Sequence, residues 1–216
     1  MPFVDLSTGA RLFYEDMGQG ETLIALHGRL GTARIDLGEV IDWLSGQYHV
    51  IGPSLRGYGQ SEPKPRDFPV DFYHRDARDV LALMDALTIE KAHILGYSDG
   101  GEVALICAGM QPQRFRSVIV WGAVGYFGPA MRPAAQRSYP PAWITEEDKR
   151  IHGITDPNAF ALCWINAVKH MIDSGGDVSL SLAPNITCPL LLMLGDQDTL
   201  NPEAYGRNFV EGTPNG

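Results

Sequence analysis

An α/β fold built on a mostly parallel sheet, with helices on both faces, is predicted by three observations. Short apolar runs of strand length alternate with longer stretches of helical spacing. The runs Thr22 to Leu26 and Leu190 to Leu194 are continuously apolar, as strands buried on both faces are. The pentapeptide Gly96-Tyr97-Ser98-Asp99-Gly100 sits between a strand-like and a helix-like run. A chain of 216 residues with 44% hydrophobic and 20% charged residues suits one globular domain with a sizeable core.

The elements follow in order. Val4 to Leu6 and Leu12 to Glu15 form a hairpin around the turn Ser7-Thr8-Gly9-Ala10. Thr22 to Leu26 is a buried strand that runs into His27-Gly28, and Ile35 to Leu44 reads as a helix. Tyr48 to Ile51 is a strand, and the Gly- and Pro-rich Arg56 to Pro65 is loop. Tyr73, Ala77, Val80, Leu81, Met84 and Leu87 recur at helical spacing across Phe72 to Leu87. Lys91 to Leu95, Ser117 to Trp121 and Leu190 to Leu194 are further strands. Pro202 to Phe209 is a helix with proline in its first turn. Gly125 to Ala183 has no strong strand signal, holds five prolines between Pro129 and Pro157, and carries an amphipathic run from Ala159 to Met171. A connection of that length without structure is unusual in a compact domain, so a helical lid is expected. The expected division is thus a core over 1–124, a lid over 125–183 and a second core part over 184–216.

Bulk charge narrows the partners. The formal net charge is −9 and no long basic cluster occurs, which argues against nucleic acid. No run approaches the length of a membrane span, and the amino terminus has no basic stretch followed by an apolar one, so a cytoplasmic location is expected. Cys107, Cys163 and Cys188 are far apart and fit neither a metal-ligand spacing nor a disulfide framework; buried free thiols are expected. No metal or organic cofactor is implied, and the oligomeric state is left open.

Gly-x-Ser-x-Gly between a strand and a helix reads as a nucleophile elbow, with Ser98 held at positive φ and its neighbours small. A serine needs a base to take its proton and a carboxylate to orient that base. The carboxylate should follow a later strand, and Gly195-Asp196-Gln197-Asp198 does. Both aspartates are candidates; Asp198, further into the loop, is preferred. The oxyanion of an acyl transfer needs two N–H donors. Asp99, at the helix amino end, supplies one, and the His27-Gly28-Arg29-Leu30-Gly31 loop supplies the other from Arg29. His27 is read as a structural histidine that pins this loop.

The histidine base should follow the acid, yet all six histidines precede Asp198. His152 and His170 lie in the lid segment as alternatives. The favoured expectation is that a last strand, the histidine loop and a closing helix lie beyond Gly216. The competing one is a catalytically silent homologue that binds ligand without turnover.

Taken together, these residues resemble the α/β-hydrolase superfamily, over the whole chain. Arg56-Gly57-Tyr58-Gly59, Arg66-Asp67-Phe68-Pro69, Gly96 to Gly101 and Val120-Trp121-Gly122-Ala123 resemble its valacyclovir hydrolase, or biphenyl-hydrolase-like, branch. The resemblance implies a serine esterase acting on small esters, with a preference for α-amino acid esters. It implies Ser98 as nucleophile, Asp198 as triad acid and Asp99 as the residue holding the substrate ammonium. A carboxylate beside the nucleophile attracts a cation there and repels an anionic acyl group. Carbon–carbon bond hydrolysis is another chemistry of the fold. One departure is Ser54, where the family commonly has Asp before x-Arg-Gly-x-Gly, which leaves Arg56 without its local partner.

Overall fold

A computed structural model describes residues 2–216. Seven strands form one sheet: β1 (Phe3–Asp5), β2 (Arg11–Met17), β3 (Thr22–Leu26), β4 (His49–Pro53), β5 (Ala92–Tyr97), β6 (Phe115–Trp121) and β7 (Leu190–Met193), in the order β1-β2-β4-β3-β5-β6-β7. The pairs β1–β2 and β2–β4 are antiparallel, and the remaining pairs are parallel. The order places β5 between β3 and β6, so the carboxyl ends of the three central strands meet at one edge. That edge carries His27 after β3, Ser98 after β5 and Gly122 after β6.

Among the described residues six α-helices lie between strands, α1 (Ala33–Leu44), α2 (Phe72–Ala86), α3 (Asp99–Met110), α4 (Met131–Arg137), α5 (Glu146–His152) and α6 (Pro157–Asp173), and a seventh, α7 (Glu203–Glu211), follows β7. Local chemistry sets several starts. Thr32 caps α1 by accepting from the Ile35 N–H, Thr145 and Asp148 form a capping box on α5, and Asp156 caps α6 ahead of Pro157. Pro202, expected in the first turn of α7, lies just before it as the cap. Helices α4, α5 and α6 and a 3₁₀ turn (Leu180–Asn185) fill the segment between β6 and β7.

The two faces of the sheet carry separate cores. A small one joins Leu23, Ala25, Val50 and Leu95 to Leu37, Ile41 and Leu44 of α1. The larger one centres on α3, whose residues from Gly100 to Gly109 are all buried. A helix apolar on every side must be enclosed, and α3 is covered by β5, α2 and the 3₁₀ turn.

Two buried ion pairs join the Gly- and Pro-rich loop to α2. Arg66 meets Asp76 at 2.5 Å, and Arg56 meets both oxygens of Asp79 at 2.7 Å. With serine at 54, Arg56 therefore draws its carboxylate from a helix 23 residues away in sequence. Cys107 and Cys188 are buried, but Cys163 is exposed on α6, which corrects the expectation of three buried thiols. Its neighbour Leu162 is exposed too: these positions lie on the outer side of an amphipathic helix.

Removing one partner of a buried pair leaves a bare charge in a low dielectric. Asp79→Ala should therefore lower the unfolding free energy by about 3–5 kcal/mol in urea titrations. Glu15→Ala, which breaks the solvent-facing pair with Arg34, should cost less than about 1 kcal/mol.

Candidate active site

Ser98 is the hinge between β5 and α3, with φ 53° and ψ −119°. For a non-glycine residue this is a strained conformation, and close packing enforces it. A Cβ at Gly96 would lie 2.3 Å from the Gly100 carbonyl oxygen, and one at Gly100 would lie 2.5 Å from the carbonyls of Leu26 and His27. Strand, turn and helix can pass each other only with glycine at both positions. The Ser98 N–H donates to the Trp121 carbonyl at 2.9 Å, and its own carbonyl accepts from Gly101 and Glu102, which starts α3. The Oγ makes no hydrogen bond among the described residues.

The loop after β3 is fixed from several sides. His27 is fully buried; its Nε2 accepts from the Leu55 N–H at 2.8 Å, which leaves Nδ1 to donate to the Gly28 carbonyl at 2.7 Å. Burial pushes the ring down to about 3, so His27 is neutral and both its nitrogens are occupied. The Gly28 N–H donates to Asp36 of α1 at 2.8 Å. His152 Nδ1 accepts from the Gly59 N–H and its Nε2 donates to the Leu30 carbonyl at 2.9 Å. Leu30 itself is held at φ 59°. The Arg29 guanidinium lies over two rings of the 125–183 insert, 3.6 Å from the centre of Trp164 and 4.8 Å from that of Trp143. The N–H groups of Arg29 and Asp99 have no hydrogen-bond partner among the described residues.

Asp99 is half-satisfied. Its Oδ1 accepts from the Tyr73 hydroxyl at 2.8 Å, while its Oδ2 is shielded from solvent and has no partner. Burial, then the Asp99 charge, pushes Tyr73 well above its ordinary value, so the hydroxyl stays a donor. Ser98, Asp99, Tyr73, Glu102 and Gly122 line a cavity of about 40 Å³ with Phe127 and Met131 of the insert and Leu200 and Asn201 of the loop after β7. Larger grooves lie elsewhere. One of about 710 Å³ runs beside Arg11, Glu15, Arg34 and Arg150, and an apolar one of about 570 Å³ is lined by Trp43, Tyr48, Leu95, Ile119 and Trp121. Neither contains Ser98, so volume alone does not locate this site.

In the loop after β7 the two aspartates separate. Asp198 is half-buried and accepts from the N–H groups of Leu200 and Asn201 and from the Asn201 side chain. Those two residues line the cavity over Ser98. Asp196 is exposed and meets only Gln197, at 3.4 Å. No histidine lines the cavity among the described residues. His49 pairs with Asp16, His74 holds the Val178 carbonyl, His93 meets Ser117, and His170 is exposed on α6. His152, an alternative base on sequence grounds, is spent on the loop after β3. No cluster of three or more His, Cys, Asp or Glu residues suited to a metal ion occurs among the described residues.

Sequence reasoning passed over Glu102. It is 2% exposed, and its Oε1 accepts from the N–H groups of Val124 at 3.0 Å and Gly125 at 3.1 Å. Burial pushes this carboxyl up to about 7, the two N–H donors oppose that, and nearby Asp99 adds to it. A carboxylate opening an otherwise apolar helical run was the available signal. A raised native value means that the group favours the folded state least once ionised there. Its contribution is intact below about 4.5 and is lost as pH climbs through about 7. Glu102→Gln removes that titration. The variant should gain on the wild type between pH 5 and pH 8 by about 2–3 kcal/mol in urea unfolding. An unchanged difference would show that Glu102 does not titrate in this range.

Comparison with known proteins identifies the family. A family model described as alpha/beta hydrolase fold matches residues 21–154. Serine hydrolase BPHL of Homo sapiens is 34% identical over 223 residues, covering 91% of this chain and 70% of that protein. The 2-hydroxymuconate semialdehyde hydrolase of Pseudomonas sp. (strain CF600) is 34% identical over 124 residues, covering 56% of this chain and 42% of that protein. Among solved structures, a thermophilic esterase from Thermogutta terrifontis superposes with a TM-score of 0.74 at 21% identity, over 100% of this chain and 88% of that one. At that identity the superposition speaks for the fold alone. No helix among the described residues is long and apolar enough to cross a membrane. By family model, by relatives and by fold, the chain belongs to the α/β-hydrolase superfamily, in its biphenyl-hydrolase-like branch.

Proposed function

We propose that the chain is a serine hydrolase of carboxylic esters that works through an acyl-enzyme and prefers esters of α-amino acids. The observation that carries this reading is Ser98, strained at φ 53°, its Oγ unbonded, beside a half-satisfied Asp99. In this reading Ser98 Oγ attacks the ester carbonyl and gives its proton to an imidazole that Asp198 orients. The N–H groups of Asp99 and Arg29 receive the oxyanion. The alcohol leaves with the proton, and water then releases the acid from Ser98. Oδ2 of Asp99 takes the substrate ammonium: an unpaired, shielded carboxylate oxygen gains most from a charged donor. The cavity over Ser98, about 40 Å³, has room for about one water. An ester therefore requires Phe127 and Met131 to give way, which supports a lid role for the 125–183 insert.

A second reading, ligand binding without turnover, has one observation in its favour: none of the six histidines is placed beside Ser98 and Asp198. Added imidazole separates the two readings. Hydrolysis of an aryl ester by these 216 residues should be slow, at most about 10³ to 10⁴-fold over water. It should rise with imidazole concentration, and Ser98→Ala should abolish the rise. Ligand binding with no Ser98-dependent turnover at any imidazole concentration would favour the silent reading. Fast turnover without imidazole would mean that another group of this sequence is the base.

Asp99 is tested by charge. Asp99→Asn should lower kcat/KM for an aminoacyl ester by about 10 to 100-fold, the loss of one charge-assisted hydrogen bond. An uncharged ester of similar size should lose much less. Equal losses would remove Asp99 from substrate recognition and leave it as a helix-terminus charge.

A further inference from the structure

Glu102 occupies a place in the fold that the reaction outlined above does not use. Its carboxylate stands where the insert leaves the sheet and where it returns. Oε1 holds the N–H groups of Val124 and Gly125, the third and fourth residues past β6. Oε2 faces the Ser179 hydroxyl at 3.5 Å, on the segment leading back to β7. Gly125 closes the connection: its carbonyl accepts from Val178, Ser179 and Leu180 at 2.9–3.1 Å. Gly125 has no room for a side chain, since a Cβ would lie 2.4 Å from the Phe209 ring. One buried carboxylate on the first turn of α3, four residues after Ser98, thus joins both ends of an insert of nearly sixty residues. Phe127, two residues beyond Gly125, lies over Ser98.

We propose that Glu102 is a positioning residue that clamps the two ends of the insert to the nucleophile helix, and so sets how high Phe127 and Met131 stand over Ser98. The consequence for acyl size rests on Ser98 being the nucleophile; the clamp itself does not. The charged and titratable groups facing Glu102 are few. Asp99 lies on its own helix and Tyr73 on α2; His74, also on α2, holds the Val178 carbonyl of the returning segment. In either protonation state the carboxyl completes the same contacts. Ionised, Oε2 accepts from Ser179; protonated, Oε2–H donates to it. A glutamine amide reproduces the second arrangement, and alanine reproduces neither.

That difference is the test. Amide hydrogen exchange is measured at residues 124–127 and 178–180 in the 216-residue protein and in its Glu102→Gln, Glu102→Ala and Ser98→Ala variants. Glu102→Ala should speed exchange at least 10-fold in both segments together, while Glu102→Gln and Ser98→Ala stay near the wild type. Faster exchange in only one segment, no change in either, or a glutamine variant that behaves like alanine would overturn the clamp. If Glu102→Ala does not fold, Glu102→Asp, one methylene shorter, should speed exchange in both segments by a smaller factor. The height over Ser98 is read in the presence of imidazole with a small and a bulky phosphonofluoridate, each losing fluoride to solvent as Ser98 Oγ bonds to phosphorus and gives its proton to the imidazole. The bulky-to-small rate ratio should rise at least 5-fold in Glu102→Ala and stay unchanged in Glu102→Gln; an unchanged ratio in both would overturn the positioning role. Should neither reagent label Ser98 in the wild type even with imidazole present, the nucleophile assignment fails, and the exchange data still decide the clamp.

Discussion

Backbone meets backbone at the carboxyl edge of the sheet, and most of the site follows from that contact. Gly100 sits against the carbonyls of Leu26 and His27, and Gly96 against the carbonyl of Gly100. With side chains absent there, β5 can turn straight into α3 and leave Ser98 at its strained angle. The same contact brings the amino end of α3 next to the loop after β3. Two N–H groups that lack partners among the described residues, on Arg29 and Asp99, follow strands that are adjacent in the sheet. Pre-set donors of this kind need no rearrangement when charge develops, which is where their value to an acyl transfer lies.

Neutrality and charge are divided with care around this edge. His27 is kept uncharged by burial and by the Leu55 N–H that occupies its Nε2. Arg56 and Arg66, both buried, are matched by Asp79 and Asp76. Among the described residues, only Asp99 keeps a shielded, unpartnered carboxylate oxygen. Elsewhere in the interior such an atom would be a cost without return; beside Ser98, on the proposed assignment, it suits a charged ligand atom.

The parts of the molecule that rest on short-range pattern were legible in the sequence. Strand β3 and helix α2 fall almost where the apolar spacing puts them, and the elbow was recognisable from its flanks. Long-range pairings were not. Nothing near Arg56 names Asp79, because that contact depends on how α2 packs against the loop. Glu102 read as one polar residue in an apolar run, and its meaning comes from residues 22 and 77 positions away. Cys163 was misplaced because which turn of α6 faces outward is decided by tertiary packing. The loop after β7 is visible from the strand before it, but the burial that sets Asp198 apart from Asp196 depends on hydrogen bonds to Leu200 and Asn201.

The packing of Arg29 against Trp143 and Trp164 has an evolutionary side. On the proposed assignment, the backbone of Arg29 serves the oxyanion while its side chain is held by the insert. One residue then answers to two selective pressures. Changes at Trp143 or Trp164 that refit the insert to a new acyl group also shift an oxyanion donor, so substrate range and rate are pleiotropic there. Drift toward new substrates is easier through Phe127 and Met131, which touch the cavity without holding the loop after β3.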